Sequence, residues 1–180
     1  MEDIIVVKHI CGAKDKEDKA SILRLINYTR FKDSKNTRLV FIVCSKGNSA
    51  KKFIVDFAKD VAEEIENKIL VGQLNGNTGC KPFILNDKEN DSVVYAELSR
   101  TLTINSDSFN KQLTEWEDVY NRIIFYNDLS NFDLMPKTLG ENAHIILIVE
   151  KGKTSIEEFC AKEKLLERMG HKAEIALLVE

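Results

Sequence analysis

The sequence predicts an α/β fold, a three-layer α/β/α arrangement around a mainly parallel sheet of about seven strands. Two observations carry this. Seven short apolar runs read as strands buried on both faces, and amphipathic helical patterns separate them along the whole chain. Such alternation implies right-handed βαβ crossovers. A third observation sets the scale: 180 residues, 43% of them hydrophobic, bury about 70% of the unfolded chain's surface and need no metal or disulfide staple. With two prolines, eight glycines and no linker-like stretch, residues 1–180 are expected to form one domain.

The elements follow in order. Ile4 to Val7 is the first strand, and a helix runs from about Asp18 to Phe31. Leu39 to Cys44 is the second strand. It is followed by a helix from about Ser49 to Glu66, whose Phe53, Phe57, Val61 and Ile65 recur every four residues, joined by Ile54 and Ala58. Ile69 to Val71 with Leu74, and then Val93 to Leu98, are the next strands. Phe109, Leu113, Trp116 and Tyr120 mark another helix, with Glu115, Glu117 and Asp118 on its wet side. Ile123 to Tyr126 and Ile145 to Val149 are strands; Ile156, Phe159, Cys160, Leu166 and Met169 then give the apolar positions of the last helix. Either Thr154 with Glu157 or Ser155 with Glu158 makes a capping box at its start, and Gly170 ends it. Ile175 to Val179 closes the sheet.

Composition removes several function classes. Twenty-six basic against 29 acidic residues leave a net charge of −3, which argues against nucleic acid as a partner. Apolar runs such as Ala143 to Val149 are far shorter than the roughly 20 residues of a membrane span, so no membrane insertion is expected. The acidic start Met1-Glu2-Asp3 does not read as a basic leader. Cys11, Cys44, Cys80 and Cys160 form no C-x-x-C or Cys/His pair at metal-ligand spacing; they read as packing residues in a reducing, cytoplasmic compartment, and no metal site is expected. His9, His144 and His171 are scattered, and no G-x-S-x-G occurs. Asn75-Gly76-Asn77-Thr78-Gly79 reads as a loop, not a dinucleotide fingerprint, and Tyr28, Tyr95, Tyr120 and Tyr126 do not cluster.

Chemistry is sought beyond the carboxyl ends of the strands, at the turns after Cys44, Leu74 and Tyr126. The first is the most informative: a buried strand, the polar turn Ser45-Lys46-Gly47-Asn48-Ser49-Ala50-Lys51-Lys52, and an amphipathic helix. A phosphate loop has this layout, since it aims successive backbone N–H groups and a helix N-terminus at an anion. The turn resembles the deviant Walker A pattern x-K-G-G-x-G-K-[ST], with Lys46, Gly47 and the phosphate lysine Lys51 matching. Three more segments, in order, resemble the cytoplasmic tyrosine kinases of bacterial capsule and exopolysaccharide export, within the partitioning-ATPase class of P-loop proteins. Lys68 to Asn75 is similar to their K-V-L-L-I-D-A-D strand, Val119 to Asn127 to their Walker B strand Y-D-Y-V-I-I-D-T, and Ala143 to Ser155 to their A-D-G-V-L-L-V-V-R-A-G-K-T-T segment. The likeness covers residues 4 to 180, with Arg30-Phe31 where the family carries a self-association helix.

The departures are as informative as the matches. Asn48 and Ala50 stand where the family has loop glycines; asparagine tolerates positive φ, whereas alanine would lose about 1 kcal/mol or more there. Lys52 replaces the hydroxyl that holds Mg²⁺. The aspartates of the second acidic motif are read as Gly72 and Leu74, or as Gly72 and Gln73 in a register one residue off, and the Walker B aspartate as Tyr126, with Asp128 the only acid nearby. The family's E-x-x-R-x-x-R pattern and tyrosine cluster are missing. Phosphoryl transfer depends on positioning and on charge neutralisation by Mg²⁺, so the sequence predicts a fold without its reaction. The alternative is a divergent ATPase or tyrosine kinase, with ATP as cofactor and no well-held Mg²⁺, which would need Asp128 to replace Tyr126.

The turn itself has two readings: a plain βα connection, or a vestigial site where Lys46, Lys51, Lys52 and neighbouring amides hold a phosphate without metal. Lysines in the first helical turn are disfavoured by roughly 0.3 to 1 kcal/mol each, and an anion would offset that. What the resemblance implies for partners is a membrane polysaccharide co-polymerase or an active paralogue, a place at the inner face of the membrane through that partner, and a homodimer as a further option.

Overall fold

The computed structural model describes residues 3–7, 25–27, 38–44, 49–65, 68–76, 83–86, 92–99, 102–103, 105–127 and 142–179. Eight strands among them make one sheet: β1 (Asp3–Val7), β2 (Arg38–Val43), β3 (Ile69–Gly76), β4 (Phe83–Asn86), β5 (Val93–Ser99), β6 (Arg122–Asn127), β7 (Ala143–Glu150) and β8 (Ile175–Val179). Their spatial order is β1-β8-β7-β2-β6-β3-β5-β4, parallel throughout except for β4, which runs antiparallel to β5 at the edge. Three full helices are α1 (Ser49–Ile65), α2 (Ser106–Val119) and α3 (Ile156–Arg168).

The seven expected strands are all present, and the eighth, β4, is a four-residue segment just after Pro82. Four residues carry too little periodicity to announce a strand, and an edge position asks for only one ladder partner. Strand β3 also outruns its expectation, continuing through Gly72 and into Asn75-Gly76, which the sequence reading gave to a loop. Of the helix expected near Asp18 to Phe31, only residues 25–27, which are helical, fall within the described residues.

Alternation along the strands sends side chains to two cores. On one face Leu39, Phe41 and Val43 of β2, Ile124 and Tyr126 of β6 and Ile146 and Ile148 of β7 pack with Phe53, Ile54, Phe57 and Val61 of α1 and with Leu25 and Ile26. Phe41 meets Phe53 and Phe57 edge-on, at ring centroid distances of 6.4 and 5.5 Å. On the other face Val40, Ile42, Cys44, Leu70, Leu74, Phe125 and Leu147 pack with Phe109, Leu113 and Trp116 of α2 and Leu166 of α3. Trp116 is therefore a core residue, 6.4 Å from the Phe125 ring.

Both termini of α3 follow their sequence signals. Ser155 and Glu158 form the capping box: the Ser155 hydroxyl accepts from the Glu158 N–H at 3.1 Å, and the Glu158 carboxylate accepts from the Ser155 N–H at 2.9 Å. At the far end Gly170 takes φ 79°, which lets its N–H reach the Glu167 carbonyl and the His171 N–H reach the Leu166 carbonyl.

Candidate functional site: the carboxyl ends of β2, β3, β6 and β7

Parallel register fixes which residues meet above the sheet. Phe41 of β2 pairs with Tyr126 of β6, and Gln73 of β3 pairs with the same Tyr126 from the other side. Tyr126 points to the α1 face, and its hydroxyl donates to the Gln73 side-chain carbonyl at 2.8 Å. At the carboxyl ends of β6 and β3 the facing groups are thus a phenol and a primary amide. Neither supplies the anionic oxygen that a hard divalent cation prefers.

Gly72 and Leu74 are not brought to this point. Leu74 is buried in the α2/α3 core. Gly72 lies across from Phe125: a methyl group built on it would stand 2.6 and 2.7 Å from two Phe125 ring carbons and 3.1 Å from Leu98. Side chains alternate between faces, so the residue on the Tyr126 side is Gln73. The string Lys68-Ile-Leu-Val-Gly-Gln-Leu-Asn75, laid directly against K-V-L-L-I-D-A-D, puts Gln73 beneath the first aspartate, and that was the available signal.

Of the turn after Cys44, residues Ser45, Lys46, Gly47 and Asn48 lie outside the described residues, as does Asp128. Ser49 opens α1. Ala50 follows inside the helix, fully buried in the α1-side core. The only described non-glycine residue with positive φ is Asn142, so Ala50 does not bear the backbone cost expected of it. Its methyl group packs instead. Lys51 and Lys52 are both exposed in a first turn that contains no acid.

Two further polar groups stand at the same sheet edge, and sequence reasoning passed over both. Asn127, next after Tyr126, is fully buried on the opposite face. Glu150 ends β7 and is 2% exposed. Its carboxylate accepts from Lys153 Nζ at 2.8 Å, and its backbone closes a tight turn: its N–H donates to the Thr154 hydroxyl at 2.9 Å, and its carbonyl accepts from the Thr154 N–H at 3.0 Å. An acid terminating an otherwise apolar run, directly before Lys-Gly-Lys-Thr, was the legible sign.

Cys44 closes β2 on the α3 side, its N–H donating to the Ile148 carbonyl at 2.9 Å. Burial pushes its thiol up to about 12; the Lys162 ammonium pulls it down by a smaller amount, and Glu158 adds to the rise. The neutral thiol is then strongly favoured near neutral pH, and reactivity requires thiolate. Cys44 is expected to resist a disulfide reagent in native protein and to react at once in denaturant, as read by mass spectrometry of the labelled peptide; rapid native labelling would contradict this. Among the described residues no group of three or more His, Cys, Asp or Glu side chains is arranged to hold a metal ion. No helix there is long and apolar enough to cross a membrane.

The sequence matches no protein-family model and no curated protein. Its fold does match solved structures. Over 99% of its length the chain is similar to the crystal structure of the chimerical protein CapA2B2, with TM-score 0.71 and 13% identity, covering 94% of that chain. It is similar to the BceF tyrosine kinase domain with TM-score 0.70 and 13% identity, covering 99% of this chain and 82% of that one. The MinD cell division protein of Aquifex aeolicus follows with TM-score 0.56 and 16% identity, over 79% of this chain and 69% of that one. The fold is shared with that MinD protein and with a ParA family ATPase from Chlorobium tepidum, the latter at TM-score 0.57 and 13% identity. Among these structures, two tyrosine kinase domains, those of BceF and of Escherichia coli ETK, overlay 99% and 91% of the chain, in keeping with the sequence resemblance.

Proposed function

We propose that this chain is a catalytically silent P-loop-fold domain, acting as one unit over residues 1–180, that binds and regulates a protein partner in surface-polysaccharide assembly. The observation that carries the reading is the hydrogen bond between Tyr126 and Gln73. It ties the ends of β6 and β3 together where a catalytic domain of this fold would present carboxylates to Mg²⁺. Lys52 in place of the metal's hydroxyl ligand works in the same direction. Without a held cation the charge that develops on a transferring phosphoryl group has no counterpart. What remains at Ser45 to Lys52 is a basic turn able to take a phosphate without metal, and no residue here has a catalytic role.

The likeness to tyrosine kinase domains and to a CapA2B2 chimera supports a partner that is either a membrane polysaccharide co-polymerase or an active paralogue. Through such a partner a cytoplasmic domain would work at the inner face of the membrane. A homodimer fits the same reading, although the loss of a metal-bound nucleotide removes one common route to pairing.

Calorimetric titration with ATP, with and without Mg²⁺, tests the silent assignment. Weak binding, equal in both conditions and lost in Lys51→Ala, is the expected result. Affinity that rises at least tenfold with Mg²⁺, or phosphate release above the blank, would defeat it.

A further inference from the structure

We infer that an apolar groove beside the start of α3 is the face through which two copies of this chain pair. The inference rests on the homodimer option of the reading above and needs no nucleotide. It begins from strand parity. Ile145 and Leu147 of β7 lie in the α3-side core, and Val149 is the next residue in that series. Val149 pairs with Leu178 of β8, and Leu147 with Ala176, so Val149, Leu178 and Ala176 form one apolar floor. Ile156 and Phe159, three residues apart on α3, form the wall. The groove holds about 240 Å³, more than the roughly 150 Å³ that admits a benzene ring. Thr154 and Ser155 stand at its mouth, where their hydroxyl oxygens already accept from the Glu150 and Glu158 N–H groups. An occupant therefore has to bring apolar surface.

A second copy brings that surface on the same patch. Ile156 is 80% exposed, the most exposed large apolar side chain among the described residues, and it sits at the edge of the groove it helps to line. The capping box fixes its position, so it is presented at little entropic cost. The rim carries both signs of charge, with Lys151 and Lys153 exposed on one side of the mouth in sequence and Glu157 and Glu158 on the other. Knob, socket and both charges therefore lie together, and a two-fold axis through the patch sets each against its complement, as an isologous interface requires. Groove and rim are smaller than the about 20 to 30 residues a side of a standard interface, so the expected dimer is weak and concentration-dependent. The patch is on the α3 side of the sheet, whereas Tyr126 faces α1, so pairing here leaves the relict nucleotide site uncovered.

Sedimentation velocity of the full chain, from micromolar to near-millimolar concentration, tests the inference. Wild type is expected to pass from monomer to dimer, with the same midpoint whether or not ATP and Mg²⁺ are present. Ile156→Asp should weaken pairing at least about tenfold, and Ile156→Ala, which truncates without adding charge, should weaken it in the same direction. An acid in the first turn of a helix suits its dipole, so Ile156→Asp should melt like wild type, and its loss is one of pairing. Val119→Asp is the control: Val119 is 61% exposed at the end of α2, the charge change is the same, and pairing should be untouched. A wild type that stays monomeric throughout would overturn the inference, as would a dimer indifferent to Ile156→Asp or equally weakened by Val119→Asp. Pairing that requires ATP would move the interface to the nucleotide site and would also overturn it. So would a monomer that binds an apolar fluorescent dye until Ile156 is replaced by aspartate, since the groove would then belong to a small apolar ligand. The silent assignment is judged separately, by the Mg²⁺ arm of the ATP titration, which Ile156→Asp should leave unchanged.

Discussion

Replacing Gly72 by valine is expected to cost about 3 kcal/mol, a drop in Tm of roughly 10 °C for a chain of this size. Even the first added carbon stands 2.6 Å from a Phe125 ring carbon, well inside van der Waals contact. The Phe125 ring has little room to yield, since Phe109 and Trp116 lie against it with centroids at 6.0 and 6.4 Å, and Leu98 stands 3.1 Å from the same added carbon. Overpacking in a core forces side chains off their rotamers or moves backbone, and here the backbone belongs to three central strands. The obstruction is one ring, so shrinking that ring should relieve it. Phe125→Leu alone is destabilising, but in the Gly72→Val background it should recover at least about 1 kcal/mol, a coupling that a double-mutant cycle of thermal melts measures directly. Strictly additive effects would show that the two residues do not press on one another.

Gly72 also shows what was legible in the sequence. The fold class, seven strands and both ends of α3 could be read from the chain, because burial on two faces, the four-residue stripe of Phe53 to Val61 and the Ser155/Glu158 box are local signals with one structural solution. Strand β4 could not be read, being a short edge segment whose partner lies elsewhere in the sequence. The acidic-motif positions stayed between two registers for a different reason. Whether residue 72, 73 or 74 faces Tyr126 depends on parity within β3, and a slip of one residue exchanges the two faces of a strand. Parallel register puts Gln73 beside Tyr126, and Gly72 lies against Phe125 and Leu98 of the opposite core. Glu150 was legible as an acid ending an apolar run, but not its neighbourhood, because β7 lies beside β2 and these strands are separated by almost the whole central part of the sequence.

The second large effect concerns Tyr126 itself. Substituting aspartate, the residue that the resemblance puts at this position, is expected to remove about 4 kcal/mol at neutral pH without creating a metal site. The phenol is 6% exposed and belongs to the α1-side core, so deleting its ring carries the usual large-to-small penalty of about 3 to 5 kcal/mol. A carboxylate left in that space is desolvated, which raises its pKa above the unfolded value. The folded state then binds more protons than the unfolded one, and the variant should lose stability as pH rises through that raised pKa and regain part of it on acidification. Tyr126→Phe keeps the ring and gives up the hydrogen bond to Gln73, for about 1 kcal/mol. The pair therefore separates packing from hydrogen bonding. Added Mg²⁺ decides the functional question. With Gln73 a neutral amide and Lys52 in the hydroxyl position, a single restored carboxylate has no second charged ligand from these positions, and millimolar Mg²⁺ should leave the melting temperature of Tyr126→Asp unchanged. If Mg²⁺ raised it by several degrees while wild type stayed put, the remaining pocket would still be built for a cation, and the proposed silent reading would lose its support from the joint loss of metal ligands.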